Sequence, residues 1–238
     1  MNTVLQVAAM ASANIANAQA AVTNNLANAS TTAFKADLFY AEQGYVGSGE
    51  AGASSVDYSA GNISYTGRDL DIAIASDGWM QVVTPGGEEI LSRRGDLRID
   101  PLGNLVDAEQ NQILSDAGPI NIPADSRVTI GADGTVSYVP KGETALSTVV
   151  LGRILLVNPD PETLQKGLDG NIRANADANL EPSAEVQIAV GALETSNVNP
   201  IASMVQMIEL SRSFESHIQT MKSADELDAS SASLMRLE

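Results

Sequence analysis

The sequence predicts an α+β protein in which long N- and C-terminal helices pair as a coiled coil around a central, mainly antiparallel β domain. Three observations predict it. The stretch Met1–Phe34 has no charged side chain, yet it is rich in Ala, Asn, Gln, Ser and Thr. From Asn199 onward, apolar residues recur at helical spacing. Between the two ends lie short period-two alternations separated by turn dipeptides. The expected organisation is an N-terminal helix over 1–34, an extended Gly/Ser-rich connection over 35–61, a β domain over 62–193 and a C-terminal helix over 194–238.

In the first helix, Leu5, Ala8, Ser12, Ile15, Gln19, Val22 and Leu26 alternate by three and four residues, a heptad-like seam interrupted by Ser12 and Gln19. Ala around that seam favours helix and permits close approach. Ala-Ser-Thr-Thr competes with the helical backbone near Asn28–Thr32 and ends it. The glycines 44, 47, 49, 52 and 61, with serines between them, read as loop.

Leu70, Ile72 and Ile74 alternate with Asp69, Asp71 and Ala73, the signature of a strand with one buried face. Leu97/Ile99, Val128/Ile130 and Val136/Tyr138 repeat it. Asp77-Gly78, Gly86-Gly87, Gly103-Asn104, Asp133-Gly134 and Asp169-Gly170 mark turns, so antiparallel hairpins are expected rather than βαβ units. Ile154–Val157 reads as a central strand buried on both faces. Asn199 can cap the last helix and Pro200 suits its first position. Met207, Leu210, Phe214, His217 and Met221 then keep a three-four rhythm, broadened by Ile201, Met204, Ile208 and Ile218. Such a helix runs about 35 residues, or ~50 Å.

The net charge of −17 is concentrated in the middle, where residues 41–199 carry 9 basic and 23 acidic side chains. An acidic surface disfavours nucleic acid and anionic lipid, and no membrane insertion is expected. The absence of cysteine excludes disulfides, thiol nucleophiles, zinc–thiolate sites and iron–sulfur clusters. The N-terminus lacks the basic start and unbroken apolar core of a cleavable signal peptide.

No catalytic, cofactor-binding or metal-binding residue is expected. His217 lies on a helix seam without a recognisable nucleophile motif, so it reads as a packing residue. Glu88 and Glu89 point to opposite faces of a strand, and Asp69/Asp71 lack a calcium-loop pattern; both pairs read as solvated. Arg93-Arg94 beside Asp96 reads as paired with acidic neighbours, and Trp79 as a core anchor. A carboxylate-pair hydrolase and a secreted β-domain adhesin using Trp79 are the alternatives from other classes.

Residues 24–35, Asn-Asn-Leu-Ala-Asn-Ala-Ser-Thr-Thr-Ala-Phe-Lys, resemble the N-terminal signature of the bacterial flagellar axial proteins, the rod, hook and hook-associated subunits. Leu193–Asn199, Tyr65–Asp71, Asp77-Gly78-Trp79, Arg93-Arg94-Gly95, Asp100–Gly103, Gly118–Ile120 and Phe214-Glu215 extend the resemblance along nearly the whole chain. Ala33 stands where that family has Gly, and Asp69 where it has Pro. The resemblance implies a non-enzymatic subunit without cofactors, belonging to the proximal rod of the flagellar basal body, with another rod or hook subunit as the alternative. It implies export through the flagellar type III apparatus, and partnership with other rod subunits and with copies of itself. The expected subunit-interface residues are Leu5, Ala8, Ile15, Val22, Asn24, Asn25, Leu26, Asn28, Phe34, Met204, Met207, Ile208, Phe214, Ile218 and Met221.

Overall fold

The computed structural model describes residues 2–40, 53–124, 126–140, 142 and 147–234, apart from the side chains of 2–8, 53, 224–225 and 227–234. The Gly-rich stretch expected over 44–61 lies partly outside the described residues. The chain forms two compact units, one of residues 1–29, 35–57 and 198–238, the other of 30–34 and 58–197.

The first unit holds helix α1 (Asn2–Ala27), helix α2 (Pro200–Leu234) and a hairpin pairing Asp37–Tyr40 with Ala53–Val56. Asn199 caps α2 by accepting from the N–H groups of Ile201 (3.1 Å) and Ala202 (3.2 Å), satisfying two otherwise orphaned donors. The expected coiled coil is not what forms. The helices touch through polar groups and run antiparallel: Ser12 donates to Met221 Sδ at 3.9 Å, and Gln19 to Ser211 Oγ at 3.3 Å. Met204 and Ile208, expected on the broadened apolar face of α2, are exposed. The physical reason is the composition of α1. Its Ser12 and Gln19 interrupt the apolar row, and they reach α2 by hydrogen bonding where knobs-into-holes packing needs apolar knobs.

In the second unit every strand pairing is antiparallel. The main sheet has Trp79–Val83 near its middle, between Glu89–Ser92 and Gln112–Ser115. Leu156–Val157 also pairs with Trp79–Val83. The neighbouring Leu155 donates to Leu114 O at 2.9 Å and accepts from Gln81 N at 3.0 Å, so this short run is bonded on both sides. Thr135–Pro140 is the centre of a three-stranded sheet, flanked by Ser126–Ile130 and Val149–Arg153. Two further pairs join distant parts of the chain: Ile63–Tyr65 with Ala192–Glu194, and Ile72–Ile74 with Ile188–Val190. This unit also holds the 3-10 turn Pro161–Thr163.

The core gathers Ile72, Ile74, Met80, Leu97, Leu105, Ile113, Val136 and Ile154. Trp79, Leu91, Val157, Leu164 and Ile172 form a second cluster, with the Tyr58 ring edge-on to Trp79 at 5.9 Å. Burial raises the Tyr58 pKa above the ordinary phenol value. The one-sided strand expected at 69–74 is corrected. Asp71, Ile72, Ala73 and Ile74 are all buried, because Ile188–Val190 and the core together cover this strand. Asp71 is accommodated there by Thr66 Oγ1, which donates to it at 2.6 Å, and by Arg68 at 3.4 Å.

Two turns share one hydrogen-bond plan. In 100–104 and in 107–111, an Asp side chain accepts from the backbone N–H of an Asn four residues on, and also from that Asn's side-chain amide. Gly103 takes the left-handed position of the first turn (φ 91°), and Gln110 takes it in the second (φ 70°). Ala33 is the other non-glycine residue with positive φ among the described residues, at 55°. Its Cβ therefore crowds a carbonyl oxygen at the position where the resembled family has Gly. Replacing Ala33 by Gly is expected to stabilise the β unit by about 1 kcal/mol, the cost of one L-residue in this region. Equilibrium denaturant unfolding followed through Trp79 fluorescence measures it, and a destabilised variant contradicts it.

Candidate functional site

The candidate site expected from the sequence is a surface for subunit contacts. Leu5 and Ala8 lie in α1 where side chains fall outside the described residues. Val22 is buried, while Ile15 and Leu26 are half-buried. Asn25 is buried at the end of α1, where its side-chain amide clamps one residue of the following strand. It donates to Asp37 O at 2.8 Å and accepts from Asp37 N at 2.7 Å. Asn24 is exposed and donates to the Asp37 carboxylate at 2.5 Å. Asn28 reaches back to Asn24, donating from its side-chain amide to Asn24 O and Oδ1, both at 3.0 Å. The structure thus brings Asn24, Asn25 and Asn28 together around the start of a hairpin. In the β unit, the half-buried Phe34 has the Lys166 ammonium 4.3 Å from its ring centroid.

On α2, Met207, Phe214, Ile218 and Met221 are half-buried. Ile201, Met204, Val205 and Ile208 are 74%, 52%, 52% and 55% exposed. Their spacing of three, four and seven places them on one face of the first two turns. Sequence reasoning placed Met204 and Ile208 in the interface and left out Val205, though its i+4 relation to Ile201 was a readable signal.

A second constellation, within the β unit, was missed. Arg93 and Glu194 form a buried ion pair, with Arg93 Nε donating to Glu194 Oε2 at 2.7 Å. The rest of the guanidinium donates to the carbonyls of Gly78 (2.6 Å), Ile74 (3.1 Å) and Ser76 (3.2 Å). The Trp79 ring centroid lies 5.8 Å from it. Glu194 Oε1 accepts from Gly61 N at 2.9 Å, and its backbone carbonyl accepts from Ala33 N at 2.9 Å. Gly61 belongs here because a Cβ would sit 1.9 Å from Thr195 O. The adjacent Arg94 pairs locally with Asp96 (2.9 Å) and Glu109 (2.6 Å).

The titratable pairs do not assemble into chemistry. Glu88 and Glu89 are both exposed, and Glu88 is held by a two-pronged contact from Arg173 at 2.7 Å. Arg173 also binds Asp169 at 2.7 Å. Hydrogen bonding to this guanidinium pulls the pKa of Asp169 well below the carboxylate range and that of Glu88 below its ordinary value. Asp69 is exposed while Asp71 is buried, so that pair does not face a common space, and the solvated reading of Asp71 is corrected. His217 is half-buried on α2. Among the described residues no three His, Cys, Asp or Glu side chains converge as a metal site, and no helix is long and apolar enough to cross a membrane.

Residues 73–138 match the family model described as the flagellar hook protein FlgE/F/G D1 domain, and residues 189–234 match that of the flagellar basal body rod FlgEFG protein C-terminal. The chain belongs to the flagellar basal-body rod and hook protein family. The flagellar basal-body rod protein FlgF of Escherichia coli (strain K12) is 35% identical over 225 residues, covering 88% of this chain and 89% of the relative. The FlgF of Salmonella typhimurium (strain LT2) is 33% identical over 238 residues, or 93% of each chain. The flagellar basal-body rod protein FlgG of Buchnera aphidicola subsp. Acyrthosiphon pisum is 30% identical over 237 residues, covering 87% and 89%.

Two outcomes are expected from the ion pairs. Glu194→Ala strands the Arg93 guanidinium in the core and should lower unfolding stability by about 3–5 kcal/mol, measurable by denaturant titration. The carboxylates of Asp169 and Glu88 bind protons more weakly folded than unfolded, so their contribution is present at neutral pH and is lost as pH falls through their lowered folded values. Arg173→Ala should return both midpoints towards ~4 in a carboxyl NMR titration. Unmoved midpoints contradict the assignment.

Proposed function

We propose that this chain is a structural, non-catalytic subunit of the flagellar basal-body rod, in its proximal part, and that the unit carrying α1 and α2 makes the contacts with neighbouring subunits. The relatives above are named as basal-body rod proteins; those named FlgF match at 25–35% identity over 86–95% of this chain, and those named FlgG at 28–30% over 87%. The partners in this reading are other rod subunits, copies of the chain itself and, before assembly, the flagellar export apparatus.

One observation carries the reading: the apolar face of Ile201, Met204, Val205 and Ile208 lies bare beside a helix with no charged side chain. In water such a face is a liability, and covering it contributes on the order of 1–2 kcal/mol per side chain. A neighbour docking against α1 strips water from amides and hydroxyls, which can be re-bonded, and from no ion, which would be far costlier to bury. The same geometry gives a glycan-binding adhesin no support, because Trp79, its stacking platform, is buried.

Ile15→Asp and Ile208→Asp each place an unpartnered charge on this surface. Both variants should keep the near-ultraviolet circular dichroism of Trp79 in the β unit. Basal bodies isolated from cells carrying only the variant should lack the protein, and the cells should not swim. Normal swimming by either strain contradicts an assembly role for this surface.

A further inference from the structure

We infer that the Arg93–Glu194 pair is a positioning device for assembly, holding in register the points where the chain leaves the β unit. The inference rests on the proposed rod-assembly function. The chain passes between its two units at 29/30, 34/35, 57/58 and 197/198. Glu194 bonds, within the β unit, to residues near two of these points and lies close to a third. Its backbone carbonyl takes Ala33 N, its Oε1 takes Gly61 N, and it stands itself four residues before Val198. Asn197 continues the cluster, donating through its backbone to Phe34 O at 3.3 Å and through its side chain to Ser59 O at 3.2 Å.

Arg93 anchors this gathering to the core. Its guanidinium is fixed by the carbonyls of Ile74, Ser76 and Gly78, so the carboxylate it holds has little freedom to shift. A buried ion pair is a poor device for stability alone, since apolar residues of similar volume often do as well or better. What an apolar pair lacks is direction. It offers no acceptor to Gly61 and no fork to orient the segment that leads into α2.

The test separates stability from positioning in the full-length chain. Arg93→Met/Glu194→Leu replaces the pair by apolar side chains. The expected result is an unfolding midpoint at or above that of the unaltered protein, faster hydrogen exchange at the Gly61 amide, unchanged exchange at Ile72 and Ile113, and loss of the protein from isolated basal bodies. Normal incorporation of this variant overturns the inference. Should the double variant fail to fold, Arg93→Lys decides: it keeps the charge and removes the planar fork. Faster exchange at Gly61 with reduced incorporation supports positioning, and faster exchange with full incorporation overturns it. Ile15→Asp, run in parallel, tests the underlying reading by itself. If Ile15→Asp incorporates normally, the assembly surface fails. If it is excluded while the apolar pair incorporates, only the present inference fails.

Discussion

Arg93 brings a planar array of N–H donors into the interior of the β unit, and each of its three nitrogens finds an acceptor there. That constraint organises much of what surrounds it. The guanidinium holds the ends of the Ile72–Ile74 and Trp79–Val83 strands through their flanking carbonyls, and Trp79 lies against it. Its partner carboxylate then fixes the backbone at Gly61. Removing either charge leaves the other buried without its ionic partner. The close approach of Gly61 to Thr195, and the strained φ of Ala33, follow from how tightly three stretches of chain converge on Glu194.

The two units rest on different physics. The β unit is held by two apolar clusters and by long-range strand pairs. Among the described residues of the helical unit, Val22, Asn25, Lys35 and Ser203 are buried, while the first turns of α2 present a bare apolar face. Long helices draw most of their stability from tertiary burial rather than from propensity. A helix left bare is therefore a surface awaiting a neighbour, which suits a subunit of a polymer whose relatives are rod proteins.

The coiled coil is where the sequence pattern misled. Ser12 and Gln19 fill places in a three-four rhythm, and rhythm alone does not distinguish an apolar seam from a polar contact line. In the structure both residues meet α2 through hydrogen bonds, while Ile201, Met204, Val205 and Ile208 at the start of α2 are exposed. The strand at 69–74 shows the reverse failure. Alternation of Asp with Leu and Ile suggested one wet face, yet Asp71 is buried because a strand more than a hundred residues away pairs beside it, and Thr66 donates to one of its carboxylate oxygens.

Local chemistry was legible in the sequence wherever its cause lies within a few residues. Asn199-Pro200 announced the cap of α2, the turn dipeptides announced an antiparallel body, and the motif at residues 24–35 pointed to the family. Arg94 was likewise readable, since Asp96 is two residues away. Its neighbour Arg93 was not, because its partner lies 101 residues on, and no periodicity marks a pair that only folding brings together. The roles of Asn25, Ala33 and Gly61 were decided in the same way, by backbone from other segments arriving within hydrogen-bonding distance. Sequence spacing encodes the direction of side chains along one element, whereas proximity between elements depends on how the chain closes on itself.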